Sequence, residues 1–144
     1  MPNRRIFSAV LFLTLLSITS GLDAQRAPHL LVHVGTYTSG ESEGIYSFIL
    51  DLSAGELVPH DEVTRTDNPS FLAMHPNHKY LYAVNESSTF QGQPGGGVTA
   101  FAVDRASGGL TMLNQKLSGG AAPCHLVVDA TGQNVLVANY TGGS

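Results

Sequence analysis

The sequence predicts an all-β fold made of repeated four-stranded antiparallel units, and three observations lead to this prediction. Segments 68–85 and 122–139 match each other at an offset of 54 residues, and segments 44–57 and 97–110 match at an offset of 53. The runs between turn residues are rich in Val, Leu, Phe, Tyr and Thr, which are the residue types favoured in strands. No long segment has the 3.6-residue apolar period of an amphipathic helix.

The complete unit predicts four short strands at about 70–75, 80–86, 97–104 and 110–117. Turn residues separate these strands, because 75–79 reads His-Pro-Asn-His-Lys and 105–109 reads Arg-Ala-Ser-Gly-Gly. Four strands within about 50 residues are typical of one blade of a β-propeller. The chain has no Trp, and this disfavours the WD and kelch types of propeller.

The segments that flank this unit predict incomplete blades. The first predicted strand, at 30–38, matches the second strand of a blade, and the chain ends shortly after another second strand. Residues 25–144 are therefore expected to form a partial propeller domain of about two and a half blades. Because a closed ring needs at least four blades, we expect this domain to be the truncated N-terminal portion of a longer propeller.

The N-terminus has the pattern of a secretory signal. Arg4 and Arg5 precede an apolar run at 6–16, which is too short to span a membrane, and Ala24 provides a small residue before a cleavage point. The alternative is a buried first strand or an N-terminal anchor. The signal interpretation assigns residues 1–24 to a signal peptide and predicts a periplasmic or secreted protein without membrane attachment after cleavage.

Charge and cysteine content restrict the function classes. The chain has 7 Lys and Arg against 11 Asp and Glu, a net charge of −4, which argues against a nucleic-acid partner. The single cysteine, Cys124, excludes a disulfide framework within the chain and a Cys-rich zinc site. Neither a cofactor nor a metal site is indicated, and we expect the full-length protein to be a monomer that binds a small molecule.

Several motifs then identify a family resemblance. They are Val34-Gly35-Thr36-Tyr37-Thr38, Gly44-Ile45-Tyr46, Asn68-Pro69-Ser70-Phe71-Leu72-Ala73, His75-Pro76, Leu81-Tyr82-Ala83-Val84-Asn85-Glu86, 119–126 and Val137-Ala138-Asn139-Tyr140. Together they resemble the seven-bladed β-propeller lactonases, the 6-phosphogluconolactonase family, which also includes fungal carboxymuconate-cyclising enzymes. The resemblance covers essentially all of 31–144. It implies a seven-bladed propeller, and a hydrolase of sugar-type lactones with its site at the mouth of the central channel.

Strand alternation predicts which residues share one face. In a blade whose strands alternate in direction, the loop before the first strand and the loop after the second lie on the same face. This places the segments 36–37, 69–70, 85–87, 123–125 and 139–140 together. The Gly-rich segment 91–97, interpreted as a flexible loop, belongs to this face, and His75, His78, Lys79, Arg105 and Gly108 belong to the opposite one.

Lactone hydrolysis requires a base that activates water, donors that stabilise the oxyanion, and groups that bind hydroxyls. His125 is the candidate base, and Glu86 is the alternative base or orients an imidazole. Asn85 and Asn139 are candidates to bind sugar hydroxyls or an oxyanion, and Tyr140 is a candidate to stack on a ring. Each has a structural alternative: a strand cap for His125, a solvated loop carboxylate for Glu86, turns for both asparagines and packing between blades for Tyr140.

The leading hypothesis is therefore an exported lactonase that acts on a sugar or aldonic lactone. The alternatives are a muconate-type cyclase or isomerase, and a propeller that serves only as a binding platform, because propeller architecture does not decide function. No Arg or Lys is predicted near the channel on the site face, and this argues against a phosphorylated substrate unless other blades supply a cation.

Overall fold

The computed structural model describes residues 29–60 and 63–144, and this part of the chain contains twelve β-strands and no helix. The all-β prediction is confirmed. The described residues accordingly offer no helix that is long and apolar enough to cross a membrane. The predicted signal segment 1–24 lies outside the described residues. The strands are β1 His29–Val34, β2 Gly44–Asp51, β3 Glu56–Pro59, β4 Thr64–Arg65, β5 Leu72–Met74, β6 Tyr80–Asn85, β7 Thr89–Phe90, β8 Gln93–Pro94, β9 Gly97–Val103, β10 Leu110–Leu117, β11 Pro123–Val128 and β12 Val135–Asn139.

One four-stranded antiparallel sheet matches the predicted complete blade, with the spatial order β10-β9-β6-β5. The second, third and fourth strands begin at the predicted residues. The first strand, β5, is shorter than the predicted 70–75, because the backbone turns just before it. Asn68 has a positive φ of 42°, and its carbonyl oxygen accepts a hydrogen bond from Ser70 N at 2.8 Å.

The sheet before this blade has the order β1-β2-β3, and β4 pairs with the start of β2. Its register repeats that of the complete blade. Val34 pairs with Tyr46 in this sheet, and Ala83 pairs with Thr99 in the complete blade. Tyr46 and Thr99 are matched positions, related by the offset of 53 between β2 and β9. After the complete blade, β11 and β12 pair as β5 and β6 do.

The repeat extends to individual turn atoms. Asp51 and Asp104 occupy matched positions, and the carboxylate of each accepts hydrogen bonds from the two backbone amides that lie two and three residues later. These amide donors hold the pKa of both carboxyls below the ordinary value. Gly55 and Gly108 close the turns in the left-handed region, with φ of 69° and 77°, where a glycine carries no Cβ penalty.

The apolar core lies between the first two sheets. Ile45 of β2, Leu81 and Ala83 of β6 and Phe101 of β9 form a cluster in which each residue is 3% exposed or less. Three partly buried residues surround this cluster, namely Leu72, Val103 and Leu110. The third strand of one blade and the second and third strands of the next therefore supply one shared core, and burial of these side chains fixes how neighbouring blades stack.

The Gly-rich segment differs from its prediction as a flexible loop. Strands β7 and β8 pair to form a small hairpin that overlaps its start, and the three glycines that follow, 95–97, are buried. A Cβ on Gly96 would lie 2.1 Å from Pro123 Cδ, and one on Gly97 would lie 2.4 Å from the Phe90 ring. The glycines are thus required for close packing between the complete blade and the start of β11.

Candidate active-site face

The segments predicted to share one face are connected by hydrogen bonds across blade boundaries. Thr38 N donates to Asn68 Oδ1 at 2.8 Å, and this bond joins the end of the first sheet to the loop before β5. Ala122 N donates to Ser87 O at 2.9 Å, which joins the loop after β6 to the start of β11. These contacts place the loops after β1 and β6 and the loops before β5 and β11 next to one another.

Glu86 accepts side-chain hydrogen bonds from two residues of this face. Tyr37 OH donates to Glu86 Oε2 at 2.9 Å, and Ser70 Oγ donates to the same oxygen at 2.5 Å. Tyr37 belongs to the preceding blade, and Ser70 to the same blade as Glu86, so the carboxylate is held at the boundary between two blades. The hydrogen bond to the Glu86 carboxylate raises the pKa of the Tyr37 phenol, because the bond stabilises the protonated form.

Asn68 positions the backbone that carries Glu86. Its Oδ1 accepts from both Thr38 N and Thr38 Oγ1, while its Nδ2 donates to Glu86 O at 3.3 Å. Glu86 N in turn donates to Asn68 O at 3.1 Å. The matched residue in the next repeat is Ala122, which has a positive φ of 51° and accepts a hydrogen bond from Tyr140 N at 2.8 Å but has no side-chain amide.

His125, the candidate base, is exposed on β11, and its ring packs against Phe71 with centroids 4.4 Å apart. Phe71 directly follows Ser70 in the chain, so His125 lies beside the segment that contacts Glu86. The hydrogen bonds of Glu86 go to Tyr37 and Ser70 rather than to the imidazole. Glu86 therefore does not orient His125 directly in this structure.

Asn85 is fully buried. Its Nδ2 donates to Thr66 Oγ1 at 2.9 Å and to Asp67 O at 2.6 Å, and its Oδ1 accepts from Thr99 Oγ1 at 2.6 Å. The amide is thus satisfied by protein atoms from the segment between β4 and β5 and from β9 of its own blade, and the structure does not bring it to the surface of the face. Asn85 therefore has a structural role in this structure, although not in a turn, because its amide bonds two other segments rather than its own backbone.

Asn139, at the matched position, is 6% exposed. Its Nδ2 donates to Ser118 O at 3.3 Å and to Ser144 Oγ at 3.1 Å. Its Oδ1 is buried and has no partner among the described residues. Tyr140, the next residue, is 79% exposed, so among these three candidates only its side chain is free to meet a ligand.

Tyr37 and Ser70 were placed on this face by strand alternation, but sequence reasoning assigned them no role. No local pattern reveals them, since Tyr37 and Glu86 are 49 residues apart and meet only where two blades stack. The internal match of Tyr37 with Tyr140 was the available signal. The described residues contain no group of three or more His, Cys, Asp or Glu side chains that could hold a metal ion.

On the opposite face, histidine has a structural role. His75 Nδ1 accepts a hydrogen bond from Asn77 N at 3.1 Å, so its Nε2 carries the proton and donates to Gly132 O at 3.0 Å. Gly132 lies in the turn between β11 and β12. His75 therefore links two blades.

Comparison with known proteins places these observations in a family. The family described as "Lactonase, 7-bladed beta-propeller" matches residues 31–144. A 6-phosphogluconolactonase from Bacillus subtilis is 44% identical over 111 residues, which are 77% of this chain and 30% of the relative. This chain thus spans about a third of the length of such relatives.

Solved structures of lactonase-type proteins are similar to this chain as well. A protein from Bacteroides fragilis is 41% identical with a TM-score of 0.71, over 79% of this chain and 30% of its own. A periplasmic gluconolactonase from Pseudomonas aeruginosa is 32% identical with a TM-score of 0.71, over 78% of this chain and 31% of its own.

Proposed function

The chain belongs to the family of seven-bladed β-propeller lactonases, and from that premise we propose that the whole protein hydrolyses a sugar-type lactone. One observation carries the proposal. The Glu86 carboxylate, held by two hydroxyl groups, lies on the same face of the blades as exposed His125 and exposed Tyr140. An imidazole can act as the base, and a fixed carboxylate and an exposed phenol can bind the hydroxyls of a polyhydroxylated lactone.

In the proposed reaction, His125 accepts a proton from water as the water oxygen attacks the lactone carbonyl carbon. The carbonyl becomes a tetrahedral oxyanion, the ring C–O bond then breaks, and the leaving alkoxide takes the proton back from the His125 imidazolium to give the open hydroxy acid. Both Glu86 hydrogen bonds go to Oε2, so Oε1 is left to accept from a substrate hydroxyl or from water. Glu86 is accordingly the alternative base.

The proposed substrate is an unphosphorylated lactone. The segments that form the face, 36–38, 68–70, 85–87, 123–125 and 139–140, contain no Lys or Arg to pair with a phosphate dianion. The Bacillus subtilis relative is named for a phosphorylated lactone and the Pseudomonas aeruginosa relative for gluconolactone. We favour the second substrate type for this protein.

We further propose that the protein is exported. The support is the basic and apolar pattern of residues 1–24, together with the periplasmic location given for the Pseudomonas aeruginosa relative. A periplasmic substrate without a phosphate group agrees with the absence of Lys and Arg from the segments that form the face.

The test is pH-stat hydrolysis of gluconolactone and 6-phosphogluconolactone by the whole protein and its variants. We expect His125→Ala to lower kcat/KM for gluconolactone at least tenfold, as for loss of a general base. The matched control is His78→Ala, since His78 is an exposed histidine on the opposite face. Glu86→Gln tests the carboxylate, with exposed Glu56→Gln as its control.

The outcomes separate the possibilities. Loss of activity in Glu86→Gln with unchanged activity in His125→Ala would transfer the role of base to Glu86. Unchanged hydrolysis in both variants would refute the site. A wild-type protein that hydrolyses neither lactone would refute the proposed function.

A further inference from the structure

We propose that Tyr37 and Glu86 together bind two neighbouring hydroxyl groups of the lactone ring, so that Tyr37 determines specificity for a vicinal diol. This role rests on the proposed lactonase function and adds to it one residue and one feature of the substrate. It follows from the hydrogen bonds at Glu86, which use the protons of the surrounding hydroxyl groups and leave only acceptors for a ligand.

The donors around Glu86 are already committed. Tyr37 OH and Ser70 Oγ both donate to Glu86 Oε2, at 2.9 Å and 2.5 Å. A hydroxyl group has one proton to donate and lone pairs with which it accepts. Since both protons go to Glu86, the Tyr37 oxygen has only lone pairs to offer to a further group. Glu86 Oε1 accepts from none of the described residues, so it is the second acceptor.

The two acceptors fit a diol. The Tyr37 oxygen lies 2.9 Å from Oε2, and Oε1 belongs to the same carboxylate, so the two acceptors are side by side. Tyr37 is exposed and Glu86 is half-buried, so a ligand reaches both. Two neighbouring hydroxyls of one ring each supply the proton that such a pair needs. A phosphate dianion has no proton to donate and is repelled by the Glu86 charge.

The backbone on both sides of Tyr37 is fixed to the loop before β5. A Cβ on Gly35 would overlap Pro69 O, so the two chain segments are in close contact there. Thr38 N and Thr38 Oγ1 both bond Asn68 Oδ1, on the other side of Tyr37. The phenol is therefore held in place before a substrate arrives, which reduces the entropy lost on binding.

The acceptor pair is specific to one blade boundary. Tyr37, Glu86 and Tyr140 take the same position, after the second strand, in three consecutive blades. At the next boundary the position of Ser70 is taken by Cys124, whose thiol is a weak donor. The described residues show no hydrogen bond between Glu86 and Tyr140. The bond from Tyr37 to Glu86 is thus not a requirement of the blade scaffold, and this favours a role in binding.

The experiment compares two lactones with the same ring size in the whole protein. Gluconolactone has the ring hydroxyls and δ-valerolactone has none. We expect Tyr37→Phe to lower kcat/KM for gluconolactone about tenfold, mainly through KM, and to change that for δ-valerolactone less than about twofold. The matched control is Tyr80→Phe, at the start of β6 on the opposite face, which keeps the ring beside His75 and should change neither lactone.

Monodeoxy derivatives of gluconolactone identify the hydroxyl that Tyr37 binds. The derivative that lacks this hydroxyl should be a poorer substrate for the wild-type protein by about the factor that Tyr37→Phe costs for gluconolactone. With that derivative, Tyr37→Phe should lower kcat/KM less than about twofold further, because the hydrogen bond is already lost. For derivatives that keep both hydroxyls of the diol, the full tenfold effect of Tyr37→Phe should remain.

Binding of anhydroglucitol separates this proposal from the proposed function. Anhydroglucitol has ring hydroxyls but no carbonyl, so its binding, measured by calorimetry, does not depend on hydrolysis. Tyr37→Phe should weaken it about tenfold. A protein that hydrolyses neither lactone would refute the proposed function, yet this weakened binding would still support the diol site.

Three results would overturn the diol site. The first is an equal change for gluconolactone and δ-valerolactone in Tyr37→Phe, which would mean that Tyr37 acts on the fold or on the reaction in general. The second is a full additional loss in Tyr37→Phe with every monodeoxy derivative. The third is anhydroglucitol that does not bind, or that binds Tyr37→Phe as well as the wild-type protein.

Discussion

Asn85 and Asn139 occupy matched positions but should contribute differently to stability, and Asn85→Ala measures the difference. The substitution removes three hydrogen bonds of 2.6–2.9 Å from a fully buried site and leaves Asp67 O and the two threonine hydroxyls without their amide partner. At about 1 kcal/mol for each bond, the expected loss in the free energy of unfolding is about 3 kcal/mol.

Asn139→Ala is the matched control. It removes two longer hydrogen bonds, of 3.1 and 3.3 Å, and at the same time removes a buried oxygen that has no partner among the described residues. The loss of these hydrogen bonds and the removal of the buried, unpaired oxygen largely cancel, so the expected loss in the free energy of unfolding is about 1 kcal/mol or less. Both variants delete the same atoms, so the cavity created is similar and the difference of about 2 kcal/mol reports the hydrogen bonds.

The assay is urea unfolding of both variants followed by circular dichroism, since the chain has no Trp to report by fluorescence. Equal losses in the two variants, or a larger loss in Asn139→Ala, would refute the assignment of Asn85 to a structural network. The same variants in the whole protein test the binding role predicted from sequence. A rise in KM for Asn85→Ala without loss of stability would restore that role.

Three further predictions follow from the turns and the face. Ala122→Gly should stabilise the chain by roughly 0.5–1 kcal/mol in urea unfolding, because glycine has no Cβ penalty at a φ of 51°, whereas Ala121→Gly, which lacks a positive φ, should not. Asp129 accepts hydrogen bonds from neighbouring side chains and amides, and these lower its pKa to about 2. The ionised carboxylate therefore stabilises the folded state above the unfolded pKa of about 3.9, and this stabilisation is lost as the pH falls towards 2. Asp129→Asn should therefore flatten the dependence of stability on pH between about 4 and 2, and an unchanged slope would contradict this. Glu86→Gln should lower the pKa of Tyr37 towards the ordinary phenol value, which an ultraviolet absorbance titration measures; an unmoved titration would show that the carboxylate does not hold the phenol.

Much of the blade could be predicted, because its strand and turn patterns lie in short segments of the sequence and occur twice. The strand-favouring residues and the turn residues at 75–79 and 105–109 set strand boundaries that agree with β6, β9 and β10 to within one residue. The hairpin of β7 and β8 was missed, because its Gly-rich surroundings suggested a loop, whereas Gly96 and Gly97, which follow it, are explained by contacts with Pro123 and Phe90.

The candidate site was harder to predict, because its members meet across the chain. Asn85 is the last residue of β6, where a turn asparagine would lie, yet Thr66 and Thr99 hydrogen-bond its amide from two other segments. The grouping of Tyr37 with Glu86 depends on how two blades stack, and a repeat pattern does not specify that contact at the level of atoms.

The Glu86 carboxylate takes one hydroxyl from its own blade and one from the blade before it. A single unit moved into another protein would carry Ser70 and Glu86 but would leave the phenol behind. Evolution by duplication of whole units would therefore copy the scaffold without copying this constellation. Positions 37 and 86 are instead expected to change in concert among relatives, although they belong to different units.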